Sequence, residues 1–147
     1  MALLQKVKLE ERSANKMPDI STGAHPEWVK KFIHYEDLIK EALEHSHGTY
    51  EIADVFDSIM NGDSQFWPGK NSVAITQIVQ YPRKKILHCF LAAGDIEEIS
   101  LMEEDAVLWA KSQGCSALTL TGRAGWAKSF LKNKGYTCTQ VQMTKEF

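Results

Sequence analysis

The chain has 147 residues, of which 44% are hydrophobic and 24% charged, the size and composition of one globular domain able to bury a core. Lys and Arg number 17 against 19 Asp and Glu, for a net charge of −2, so no basic excess marks a nucleic-acid surface. No apolar run approaches the ~20 residues of a membrane span, and Ala2-Leu3-Leu4 is too short for a signal peptide's apolar region.

The three cysteines, Cys89, Cys115 and Cys138, are odd in number, widely spaced and set in apolar contexts. They read as free thiols in a reducing, cytoplasmic compartment.

Residues 1 to 24 are polar and weakly patterned, an arm or a loosely docked first strand. Residues 25 to 147 form the single domain. Pro26 suits a helix's first turn, and Trp28, Phe32, Tyr35, Ile39 and Ala42 then make one apolar stripe ending near Gly48. Thr49 stands at the cap position of a second helix, whose stripe is Ile52, Val55, Phe56, Ile59 and Met60. Asn61-Gly62-Asp63 stops it. Phe66-Trp67-Pro68 follows and reads as an aromatic cap on the core.

The period then changes to two. Val73, Ile75 and Val79 alternate with Ala74, Thr76 and Ile78, and residues 86 to 91 are apolar on both faces. Tyr81-Pro82-Arg83-Lys84 joins the two runs, which predicts a hairpin over residues 72 to 91. A third helix carries Ile99, Met102, Ala106 and Trp109 on one face and closes at Gly114. Residues 116 to 121 are a strand, 125 to 133 a short helix ended by Lys134-Gly135, and 136 to 144 a last strand. Trp109 and Phe130 are expected to be buried against the sheet.

A hairpin, a long helix, a strand, a short helix and a final strand make up an order that resembles half of the GCN5-related N-acetyltransferase fold. The best local match runs from Gly125-Trp126-Ala127-Lys128 to Lys134-Gly135-Tyr136. It is similar to the family's late motif, a short aromatic-bearing helix with a Gly-aromatic turn into the last strand. The resemblance implies an α/β (α+β) fold with a central mixed, mostly antiparallel sheet flanked by helices. Tyr81-Pro82-Arg83-Lys84, Leu91-Ala92-Ala93-Gly94 and Gly122-Arg123-Ala124-Gly125-Trp126 also resemble a group of small tailed-bacteriophage proteins of this fold. That likeness implies a protein partner or a phage-particle component as the contact, in the host cytoplasm or the virion.

The same resemblance implies where a cofactor would sit. Family enzymes hold the pyrophosphate of CoA on a Gly-rich loop at the start of the long helix. Here that stretch is Ala92-Ala93-Gly94-Asp95-Ile96-Glu97-Glu98-Ile99, with one glycine and no basic residue. Asp95 reads as the helix N-cap, and Glu98 is spaced to reach back to it as a capping box. Three carboxylates in the first turn favour the helix dipole and oppose a phosphate. Leu91, Ala92, Ala93 and Gly94 remain candidates for backbone contact with a pantetheine arm, and Arg123 for an anion or partner contact. His88 is the one base on the hairpin strands, and Tyr136 stands at the Gly-aromatic position; these are the catalytic candidates. His45 and His47 lie two apart, pointing away from each other on a helix, so no metal is expected. Lys30-Lys31 and Arg83-Lys84-Lys85 read as solvated charges. Two functions follow: a catalytically degenerate acetyltransferase-like protein, needing no cofactor and acting through protein contacts, or an active N-acyltransferase using acetyl-CoA through an unusual loop.

Overall fold

A computed structural model describes residues 26–122 and 124–147. The expectations for residues 1 to 24 and for Arg123 lie outside the described residues, as does that for the Phe130 side chain.

The first apolar stripe forms two helices, α1 (Glu27–His34) and α2 (Glu36–Leu43), where one was expected. The break falls at Tyr35, whose hydroxyl donates to the Gly69 carbonyl at 2.6 Å. A 3-10 turn, Glu44–Ser46, leads to His47 in the left-handed region. Helix α3 (Ile52–Met60) starts two residues later than Thr49 suggests. Its cap is Glu51, whose backbone N–H donates to the Asp54 carboxylate at 2.9 Å, while Thr49 donates to the Ser46 carbonyl.

Phe66-Trp67-Pro68 belongs to a strand, β1 (Gln65–Pro68), at the edge of the sheet, where proline is tolerated. The predicted hairpin is present as β2 (Ser72–Gln80) and β3 (Lys85–Gly94), closed by Tyr81 N–H donating to the Lys84 carbonyl at 2.8 Å. Helix α4 (Ile96–Ser112) crosses back and β4 (Ala117–Leu120) pairs parallel to β3. The sheet runs β1-β2-β3-β4, with the first three antiparallel, so the mixed, mostly antiparallel sheet is as expected.

The end of the chain departs from expectation. The short helix is two 3-10 turns, Ala124–Lys128 and Phe130–Lys134, divided at Ser129. The Ser129 hydroxyl donates to the Trp126 carbonyl and accepts from Leu131 N–H, which restarts the turn. Gly135 ends it at φ 90°, a conformation that favours glycine. Residues 136 to 144 carry the alternating pattern but pair with no strand among the described residues.

Apolar side chains fill both faces of the sheet. On one, Val29, Phe32, Ile39, Val55 and Phe56 pack on Val73, Ile75 and Leu91. On the other, Ile78 and Leu87 meet Ala106, Ala110 and Cys115. Trp109 is half-buried there, edge-on to Trp67 with centroids 5.7 Å apart, rather than fully covered. Among the described residues no helix is long and apolar enough to cross a membrane.

Candidate functional site

Leu87 and Leu91 sit four residues apart on β3, a spacing that should put both on one face. They pack on opposite faces. The register explains this: Thr76 pairs with Cys89 and Ile75 with Leu91, so Phe90 is the extra residue of a β-bulge. Beyond the bulge β3 also loses its second neighbour. The last parallel pair is Cys89 with Leu120, followed by Thr121 N–H donating to the Cys89 carbonyl at 3.2 Å. Leu91, Ala92 and Ala93 therefore pair with Ile75, Ala74 and Val73 on one side and with no β4 residue on the other.

This parting of β3 and β4 leads to the start of α4. Gly94 stands at φ 121°, and a Cβ there would collide with the Asn71 carbonyl and with Ser72. Asp95 caps the helix, its carboxylate accepting from Glu97 N–H at 3.0 Å. The expected capping box is absent. The Asp95 N–H donates instead to the fully buried Ser72 hydroxyl at 2.9 Å. Glu98 turns to the β1–β2 loop, where it accepts from Lys70 N–H and from Asn71 N–H, the latter at 2.8 Å. The Ser72 hydroxyl first, and then these two amides, hold the Glu98 carboxyl below the usual carboxylate range.

Beneath the parted strands, on the α4 face, lies a cavity of about 60 Å³. Cys89, Ala92, Ile99, Glu103, Trp126 and Tyr136 are among its walls. Tyr136 donates its hydroxyl to Glu103 at 2.7 Å, and Lys134 donates to Glu103 at 3.2 Å, to Glu104 at 2.9 Å and to the Ser100 carbonyl at 3.1 Å. Burial, and then the Glu103 carboxylate, push the Tyr136 hydroxyl well above its ordinary range. Burial likewise raises the Cys89 thiol to about 11. No local sequence pattern marks this Glu103–Lys134–Tyr136 group, because Glu103 lies 31 and 33 positions from its two partners.

His88 is placed elsewhere. Next to Cys89 along the strand, it faces away from the cavity, paired across the sheet with Gln77. Its ring nitrogens meet the hydroxyls of Thr119 at 2.8 Å and Thr121 at 3.1 Å, and burial lowers its pKa. The two catalytic candidates thus lie on different faces. Among the described residues no three His, Cys, Asp or Glu side chains gather as metal ligands would.

No protein-family model matches the sequence, and no curated protein does. Solved structures do match in shape. A transcriptional regulator from Bacillus halodurans C-125 superposes with a TM-score of 0.61 at 14% identity, over 84% of this chain and 96% of that one. An acetyltransferase from Trypanosoma brucei gives 0.54 at 15% identity, over 76% and 94%. An aminoglycoside acetyltransferase from an uncultured soil metagenome, solved with sisomicin, gives 0.53 at 12%, over 80% and 88%. At these identities the likeness concerns architecture, and the chain has the GCN5-related N-acetyltransferase-like fold.

Proposed function

We propose that this chain is a catalytically degenerate protein of the acetyltransferase fold, phage-encoded and acting through contacts with another protein in a particle or on a host factor. The observation that carries the reading is the self-capped start of α4. Asp95 occupies an amide that a pyrophosphate would need, and Ser72 occupies another. A pyrophosphate arriving there would displace the cap and meet the charges of Asp95 and Glu97. At an effective dielectric of ~20, one such pair about 5 Å apart costs roughly 3 kcal/mol before salt screening. The cavity beside it, about 60 Å³, is lined by Trp126 and Tyr136. The phage setting rests on the resemblance of the Tyr81 to Lys84 turn, the Leu91 to Gly94 stretch and the Gly122 to Trp126 stretch to small phage proteins.

A second reading, an active N-acyltransferase, is favoured by the bulge at Phe90 and the free β4-side backbone of Leu91, Ala92 and Ala93. Tyr136, bonded to Glu103, then lines the cavity beside the cleft as a titratable group. Thermal unfolding separates the two. Acetyl-CoA at a hundredfold excess over its dissociation constant would add about 2.7 kcal/mol. The midpoint should stay where it is across a millimolar titration; a dose-dependent rise of several degrees would favour the enzyme.

A further inference from the structure

On the face of the sheet turned away from the cavity, His88 is held at both ring nitrogens. Thr119 is its register partner on β4, and Thr121 follows two residues on, on the same face. Their hydroxyls stand 2.8 Å from Nδ1 and 3.1 Å from Nε2. Gln77, the neighbour on β2, donates to the Ser64 hydroxyl at 3.3 Å, so the ring belongs to the two threonines. These two are not equivalent. Thr119 lies within the β3–β4 ladder, whereas Thr121 lies past its last pair, Cys89 with Leu120, and is exposed where the strands part.

A hydroxyl on one ring nitrogen, with a second group fixing the other, is the geometry of an activated nucleophile, whose base must lie within ~2.6–3.2 Å. Burial lowers the His88 pKa, so at neutral pH the ring is uncharged and one nitrogen is free to take a proton. We propose that Thr121 is a covalent modification site, an acyl acceptor with His88 as its base and Thr119 as the positioning residue. His88 carries its proton on Nδ1 and donates to Thr119, which leaves Nε2 to accept from Thr121. The Thr121 Oγ1 attacks the carbonyl carbon of an activated acyl ester. The new Oγ1–C bond forms, the ester's own C–O bond breaks, and the alcohol leaves with the electron pair. The Thr121 proton passes to Nε2 and from there to the departing oxygen. No CoA takes part, so the site stands apart from the reading of the α4 start.

The probe is p-nitrophenyl acetate, applied to the full chain. Fragmentation mass spectrometry should find an acetyl ester on Thr121, distinct from any acetylated lysine or Cys138. General bases contribute ~10²–10⁴-fold, so His88→Gln should slow this labelling by more than about tenfold, while Thr121→Ser should keep it. The role of Thr119 is read from the tautomer. The ¹⁵N shifts of the His88 ring, assigned by their loss in His88→Gln, should report Nδ1–H in the native chain and a move toward Nε2–H in Thr119→Val. No ester at Thr121, or labelling of His88→Gln within about tenfold of the native rate, overturns the assignment. So does a native ring protonated on Nε2, or a tautomer that Thr119→Val leaves unchanged.

Discussion

Glu98 illustrates how one side chain is claimed by remote groups over local ones. Its position three residues after Asp95 suits a capping box, worth a single hydrogen bond to the Asp95 amide. The structure offers it two loop amides, Lys70 and Asn71, while Ser72 satisfies Asp95. Tyr136 is a second case: the Gly-aromatic pattern marks the position, but Glu103, 33 residues away, decides what the hydroxyl does. That bond has a consequence in pH. The folded-state pKa of Tyr136 is raised, so the native chain holds this proton where the unfolded chain, near pKa 10, has begun to lose it. The associated stability is complete below pH 10 and falls as pH rises above it. Chemical unfolding between pH 8 and 11 should therefore show an alkaline loss that Tyr136→Phe reduces; an unchanged slope in the variant would mean that the hydroxyl is not held as described.

At the scale of elements, local signals and distant ones divide cleanly. The hairpin is legible because alternation on both sides of a proline turn lies within twenty residues. Helix α4 is legible from its apolar face and its closing glycine. β1 is not: it has four residues, includes a proline, and owes its place to pairing with Val73 to Thr76. The break at Tyr35 interrupts a stripe that continues through it, and the partner of its hydroxyl, the Gly69 carbonyl, lies 34 positions away. Residues 136 to 144 carry a strand's pattern, but pairing needs a neighbour that a pattern does not supply. The bulge at Phe90, which shapes the candidate site, leaves no mark in a run that is apolar on both faces. Packing between elements can be tested at Leu87, fully buried between β2 and α4, against Leu108, 66% exposed on α4. Leu87→Ala should cost about 2–5 kcal/mol and Leu108→Ala within about 0.5 kcal/mol by urea unfolding. Similar losses at both positions would mean that the apolar face of α4 is misassigned.

For the whole molecule, the fold and the chemistry point in different directions. The sheet parts between β3 and β4 at a bulge, with a helix start at the mouth of the opening. The residues placed at that mouth are Asp95 and Glu97, whose amides are already engaged, and the space below is lined by Trp126 and Tyr136. A fold can persist after the site it once served is lost, because packing and site chemistry depend on different residues. Glu98 is bound away from the mouth, so of the three carboxylates only Asp95 and Glu97 need to change to free the Glu97 amide and remove the opposing charge. The most direct measurement is a calorimetric titration with acetyl-CoA at low ionic strength. The native chain should give no binding heat, whereas Asp95→Gly with Glu97→Arg should gain a salt-sensitive heat of binding. Micromolar binding by the native chain, weakened by salt, would contradict the self-capped site.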